Sequence, residues 1–323
     1  MRGLNPRQIE AFRAVILTGG VGAAASLINV TQPAVSRMLR DLQSHLGLTL
    51  FERRGTGLVP TSEALSLYAE VERAFVGLER IEQMATELRT RRAGFLRIAA
   101  LPALANGFLP RFVGEFLKER PKLDIVLSGL VSHAVLASVA QGQSDLGFAE
   151  ASMEHANVDR EGMPPAPFVA VLPERHRLAR KKRLGPTDFE GENFISLGPS
   201  TLSRFRIDRV FAEHGVTRIL RIETPLSEIA CALAGSGAGV VLCEPFTATE
   251  YSTRGIVVRR FDPQIDFEFA ALLPAQRSVP PVAREFIDGF RAHVSAFLRR
   301  GPNMSSAVYR AEVSRNVSSC LLW

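Results

Sequence analysis

VGAAASLINVTQPAVSRMLRDLQSHLGLTLFERR, residues 21–54, decides how the N-terminal part of this chain folds. Its opening run, Val21 to Ile28, is rich in alanine, with side chains small enough for one helix to cross closely over another. Asn29 and Val30 interrupt that run. Thr31 then stands where an N-cap belongs, and Pro33 falls in the first turn, where its missing N–H costs nothing. Val35, Leu39, Leu42 and Leu46 come next at three- and four-residue spacing and form one apolar stripe. The opposite face carries Gln32, Ser36, Arg37 and Arg40, with no acid before Asp41. Two short helices joined by a tight turn, the second polar on its first two turns, predict a helix-turn-helix. That geometry lays the second helix in a major groove, where Gln and Arg read base edges.

A helix pair with one polar face also occurs in ordinary all-α domains, where its charges are simply solvated. The next seven residues of the chain favour DNA. Phe51-Glu52-Arg53-Arg54-Gly55-Thr56-Gly57 places two arginines beside a Gly-x-Gly bend, the pattern of a hairpin wing lying along a phosphate backbone. Charge is distributed accordingly. Residues 1–60 hold seven Arg against three acids, whereas residues 61–88 hold two Arg against six Glu. This separation says more than the whole-chain net charge of +6. The predominance of Arg over Lys carries little weight, since coding bias produces the same excess.

Beyond the wing, Pro60-Thr61-Ser62-Glu63 reads as a helix start, with a capping hydroxyl and an acid in the first turn. Leu67, Val71, Ala74, Leu78, Ile81, Ala85 and Leu88 then alternate at spacings of four and three, the seam of a coiled coil. Tyr68 and Phe75 widen the apolar face, as they would in a single buried core helix, but the intervening residues are largely Glu and Arg. A dimer-forming linker helix is therefore expected over residues 61–92. Two reading helices related by a twofold axis would recognise a palindrome.

From Phe95 the texture changes to alternating strands and helices, the mark of open α/β sheets. Strands are expected at Phe95–Ala100, Leu123–Leu127, Asp145–Ala149, Phe168–Leu172, Asn193–Leu197, Arg218–Glu223, Val240–Cys243 and Glu268–Leu273. Helices are expected at Phe108–Leu117, Ala134–Ala140, Ser203–His214, Ser227–Leu233 and Val282–Leu298. The poorly periodic piece Ala151–Ala166 falls where the chain would cross between two lobes, expected at about residues 93–163 plus 268–300, and 164–267. Ligands of such folds bind outside the carboxyl ends of the strands. Those ends include Leu101, Pro102, Ala103 and Leu104, then Glu150, then Ser200, Thr201 and Ser203, then Thr224, and Glu244. The hydroxyls at a helix start would hold a carboxylate, or would merely cap their own helix. Glu150 would meet a cationic ligand group, or would be an ordinary solvated acid.

Signals for other chemistry are weak. Gly235-Ser236-Gly237-Ala238-Gly239 follows a helix and precedes a strand, the reverse of a dinucleotide-binding turn. No P-loop, G-x-S-x-G or H-E-x-x-H motif is present, so no cofactor, metal or enzymatic activity is expected. Arg180-Lys181-Lys182-Arg183 reads as a solvated basic loop. Cys231, Cys243 and Cys320 lack metal-ligand spacing and fit thiols of a reducing cytosol. Neither a signal-peptide core nor a membrane-length apolar run appears, and a cytoplasmic location is expected by elimination. Residues 301–323 are polar and aperiodic and are expected to be poorly ordered.

The combination AAASLINVTQPAVSRMLRDLQSHLGLTLFERR with PTSEA after it resembles the LysR-type transcriptional regulators, over essentially residues 4–300. The resemblance implies an α+β multidomain fold. It comprises a winged helix-turn-helix, a linker-helix dimer and a two-lobed effector domain like type 2 periplasmic binding proteins. It also implies tetramers on double-stranded promoter DNA, a small-molecule co-inducer that changes DNA bending, and contact with RNA polymerase as an activator. Thr31, Gln32, Pro33, Ser36 and Arg37 match the family's recognition helix, and Arg53 and Arg54 its wing. Gly22 stands where the family commonly carries a bulkier or Ser-like residue. RQIEAFRAV, RAFVGL and LRIAALPALANGFLPRF are similar to regulators of octopine and nopaline catabolism, which implies an effector that is an opine or a basic amino acid. A transported-solute binding protein would share the two-lobed domain but gives no reason for residues 1–60.

Overall fold

A computed structural model describes residues 4–54, 57–90, 94–199 and 201–300. The chain divides into two compact units that part between residues 91 and 92. The first unit runs α1 (Pro6–Thr18), α2 (Val21–Leu27), α3 (Gln32–Leu46), β1 (Phe51–Arg54), β2 (Gly57–Pro60) and α4 (Ser62–Thr90). Asn5 caps α1 by accepting from the Arg7 N–H, and Gly19 ends the helix with φ at 71°. Between α2 and α3 the turn passes through Asn29 at φ 54°, a left-handed conformation that Asn tolerates better than most residues. The Thr31 hydroxyl accepts from the Ala34 N–H at 3.4 Å, so it is the N-cap of α3, and Gly47 terminates that helix. The apolar stripe of α3 behaves as its spacing predicts: Val35, Leu39 and Leu42 are buried against Phe12 and Val15 of α1 and Ala24 and Ala25 of α2. β1 and β2 pair antiparallel as a hairpin, with Arg54 opposite Gly57.

The seam of α4 divides. Leu67 is half-buried and Val71 buried, and with Tyr68 and Phe75 they pack into the core of their own unit. An ion pair from Arg13 to Glu72 at 2.6 Å, with the Arg13 guanidinium 4.7 Å from the Phe75 ring, fastens that half of the helix to α1. Further along, Ala74 is exposed, and Leu78 and Ile81 are 53% and 65% exposed. The first two positions expected on a coiled-coil seam, Leu67 and Val71, are thus spent on the core of their own unit. The side chains of Ala85 and Leu88 lie outside the described residues.

The second unit begins with β3 (Phe95–Ala100), α5 (Pro102–Ala105), α6 (Phe108–Lys118), β4 (Asp124–Gly129), α7 (Ser132–Ala140), β5 (Leu146–Glu150) and β6 (Val158–Gly162). It continues through β7 (Ala166–Pro167), β8 (Val169–Pro173), β9 (Arg183–Leu184), β10 (Asn193–Leu197), α8 (Leu202–Glu213), β11 (Ile219–Thr224), α9 (Ser227–Gly235) and β12 (Val241–Cys243). It closes with α10 (Pro245–Tyr251), β13 (Ile256–Phe261), β14 (Asp266–Phe267), β15 (Phe269–Pro274) and α11 (Pro281–Arg300). The first lobe is a five-stranded sheet of order β4-β3-β5-β15-β6, with β3 parallel to β4 and β5, and β15 antiparallel to its neighbours. The second lobe holds the sheet β12-β8-β13-β9, and a parallel bridge from Phe194 to Val240 links the β10-β11 pair to it. Antiparallel pairing of β7 with β14 marks the two crossings between lobes.

Every expected strand of this unit appears, within a residue or two of its anticipated ends. Three kinds of element lie beyond the reach of pattern. β6 lies inside the stretch that reads as an aperiodic crossover; it is an edge strand whose alternation is masked by Asp159, Arg160 and Glu161. β13 carries Arg259 and Arg260 in an otherwise apolar run, with Arg259 donating to the Ala179 carbonyl. α5 and α10 are too short to show periodicity. The glycine run is a packing device: a Cβ on Gly239 would stand 2.5 Å from the Asn193 carbonyl oxygen, and one on Gly235 2.6 Å from that of Arg254. Phe108 of α6 meets Phe290 of α11, and Phe112 meets Phe286 and Phe290, in edge-on or tilted pairs, and Phe246 of α10 joins them, 4.6 Å from Phe108 and 5.5 Å from Phe297. Residues 301–323, with Cys320, lie outside the described residues.

Candidate nucleic-acid interface and ligand cleft

The first unit presents one face free of core contacts. Thr31, Gln32, Pro33, Arg37 and Arg40 are exposed along α3, and Ser36 is half-buried between them. The Arg37 side chain is 80% exposed, with only a loose 3.8 Å approach to Asp41, one helical turn on. Arg40 lies along its own helix, its Nε donating to the Ser36 carbonyl at 3.3 Å. A Cβ at Gly22 would meet Gln32 Nε2 at 2.7 Å, the far end of an exposed side chain that can swing aside, so the contact does not by itself require glycine there. Gln43 is invisible to sequence reasoning, because a glutamine on a polar face gives no pattern signal. Its Oε1 accepts from the N–H groups of Leu50 (2.7 Å) and Phe51 (3.2 Å), tying α3 to the start of the hairpin. The backbone of Arg53 and Arg54 lies in β1, and their side chains lie outside the described residues.

The second unit holds a cleft of about 240 Å³ between its lobes. Its walls are strand ends: the residues after β3, β4 and β5 on one side, and those after β10, β11 and β12 on the other. Of the expected ligand residues, the structure brings Leu101, Pro102, Ala103, Glu150, Thr201 and Ser203 to this wall. Leu104 does not belong to it; the turn of α5 rotates that side chain fully into the core. Thr224 is also absent from the wall, being buried with its hydroxyl accepting from the Leu226 N–H. Ser200 lies outside the described residues. Thr201 caps α8, its hydroxyl accepting from the Arg204 N–H at 3.2 Å and donating to the Gly198 carbonyl at 2.9 Å.

Two carboxylates face this space, and they differ. Glu150, mostly buried, has its pKa raised by loss of hydration, and the Leu202 N–H at the start of α8 and the charge of Arg206 oppose the rise. Glu150 therefore accepts from the start of α8 itself, which neither an open cation seat nor a freely solvated acid requires. Glu244, the residue after β12, is only 2% exposed. Burial pushes its carboxyl up to about 7, against hydrogen bonds from Ser227 (2.7 Å) and Thr247 that favour the ionised form. The strand-end rule reaches Glu244, as the residue after Val240–Cys243, but gives no sign of its burial or of its hydroxyl partners. Ser132, His133 and Ser227 also reach the wall, and the Ser132 hydroxyl accepts from the Glu150 N–H. Among the described residues no group of side chains is arranged to hold a metal ion, and no single helix is long and apolar enough to cross a membrane.

A winged helix-turn-helix joined in one chain to a two-lobed strand-end cleft defines the class of ligand-responsive DNA-binding regulators. Residues 6–65 match the model of the bacterial regulatory helix-turn-helix proteins of the lysR family, and residues 89–295 match the LysR substrate binding domain. The chain belongs to the LysR family of transcriptional regulators. It is 39% identical over 283 residues to the regulatory protein NocR of Agrobacterium fabrum, covering 88% of this chain and 94% of that one. To the octopine catabolism/uptake operon regulatory protein OccR of Rhizobium meliloti it is 42% identical, with 91% and 96% covered. Its fold matches that of full-length CbnR in complex with target DNA, with a TM-score of 0.74 at 19% identity, over 90% of this chain and 99% of that one. The reading as a solute-binding protein without DNA function is thereby set aside.

Proposed function

We propose that this regulator activates a catabolic operon in response to an amino-acid-derived effector of the opine or basic amino-acid class, bound in the cleft between its lobes. The observation that carries the reading is the cleft itself: six strand ends converge on it, it is walled by hydroxyls and two acids, and no Lys or Arg lines it among the described residues. The 42% identity to a regulator of octopine catabolism and uptake supports the same class. On DNA, Gln32, Ser36 and Arg37 would meet base edges. Thr31, Pro33 and Arg40, with Arg53 and Arg54 of the wing, would fix the helix against phosphates. The exposed half of α4 supports a dimer, and pairs of dimers and a contact with RNA polymerase complete the proposed assembly.

The test is a gel shift with the intergenic DNA upstream of the neighbouring gene, across a range of salt concentrations. Arg37→Ala is expected to weaken binding by about 1–3 kcal/mol and to relax sequence preference. Unchanged affinity and preference would remove α3 from the interface.

A further inference from the structure

We propose that Glu244 is the seat for the cationic end of the effector, a guanidinium or alkylammonium, and that it sets the charge selectivity of the cleft. The inference rests on the cleft being the effector site and assigns the residue and chemistry that discriminate there. Glu150 is already engaged, by the Leu202 N–H and by the nearby charge of Arg206. Glu244 differs in kind. Its two oxygens each receive one hydroxyl, from Ser227 and Thr247, its own backbone N–H adds a third donor, and among the described residues no cationic side chain pairs with it. A carboxylate offers about four acceptor positions, so the hydroxyls orient it and leave it able to accept more.

A buried carboxylate without a counter-charge is costly, and natural cores rarely keep one unless something pairs with it. Here nothing among the described residues does, while the residue forms part of the wall of an open cleft. The charges around it sharpen the point. Glu228, on α9, adds negative potential, the Cys243 thiol, its pKa raised by Cys231, burial and Glu244, lies nearby, and His133 is the titratable group lining the facing wall besides Glu150. An arriving cation would therefore gain a preoriented, partly desolvated partner. Leu101, Val131, Met153, Leu226 and Phe267 offer apolar surface for the alkyl stem that separates such a cation from a carboxylate. The pKa near 7 adds a signature: a cation binds the ionised form, so affinity should rise from about pH 6 to about pH 8.

The experiment is calorimetric titration of the full-length chain with L-arginine, octopine and L-citrulline, the last replacing the guanidinium of arginine by a neutral ureide on the same skeleton. Arginine or octopine is expected to bind about thirtyfold or more tightly than citrulline. Glu244→Gln, which keeps the shape, leaves one hydroxyl donating to the amide oxygen and the other able to accept from the amide NH2, and removes the charge, should abolish that preference. Glu244→Asp should keep part of it, guarding against a fold that merely fails. Equal binding of arginine and citrulline, no binding of any probe, an intact preference in Glu244→Gln, or tighter arginine binding at about pH 6 overturns the proposal. A DNA footprint separates the two readings. If citrulline remodels it as well as arginine does, the switch stands and the cation seat falls. If arginine binds through Glu244 and leaves the footprint unchanged, the seat stands and the switch falls.

Discussion

At the scale of single residues, side chains that touch backbone matter as much as those that fill the core. Gln43 satisfies two N–H groups at the point where the chain leaves α3 for the hairpin. Gln43→Ala should cost about 1–3 kcal/mol, because both donors lose their partner at a half-buried site, and thermal unfolding of the full chain would show it as a lowered midpoint for the first unit. An unchanged midpoint would mean that water replaces the glutamine. Residues of this kind are illegible in the sequence, because a polar side chain that serves the backbone leaves no periodic trace. Glu244 is legible as a strand end, but its burial between the Ser227 and Thr247 hydroxyls is not, because those partners come from elements the sequence does not show to be close. Thr31 and Leu42, by contrast, are legible from spacing alone, since an N-cap and an apolar stripe are local facts.

At the scale of elements, α4 shows where pattern reading stops. Its seven apolar positions look alike in sequence, yet the first part serves the domain core and a later part faces outward. Periodicity reports which face is apolar and says nothing about what covers it. Leu78→Glu combined with Ile81→Glu should therefore convert a dimer to a monomer in sedimentation experiments. It should leave the unfolding midpoint of the first unit nearly unchanged, because neither residue is in the core. A persistent dimer would move the interface elsewhere. Strands with a continuous apolar run, such as β8 and β15, are readable for the opposite reason: both of their faces are buried. The edge strand β6 is not, since half-exposed strands carry charges that imitate a loop.

At the scale of the whole molecule, two titratable groups set opposing pH dependences. Glu244 has a folded pKa of about 7 against an ordinary 4.5. The folded state thus holds the extra proton in that window, and stability falls as pH rises through it. His293, half-buried on α11 against Phe108 and Phe112 of α6 with its pKa lowered by burial to about 4, works the other way, and its contribution is lost as pH falls below 6.5. Between about pH 6 and pH 8 the Glu244 effect should cost the free protein about 1 kcal/mol. Denaturant titrations should show that decline in the natural chain and its absence in Glu244→Gln. An equal decline in both would assign it to other groups.

Phe246 follows Glu244 by two positions and belongs to different lobes by chain and by packing. β12 before it lies in the second lobe, while its ring is wedged among Phe108, Phe297 and Phe269 of the first. Glu244 thus stands at a fulcrum, beside a helix that belongs to the second lobe by chain and presses on the first, although the chain itself crosses only beside β7 and β14. A load placed at a fulcrum needs no long lever to be felt at both ends. Ligand charge taken up at Glu244 would be registered as a change of angle between the arms, which a rigid binding pocket set within either lobe could not report.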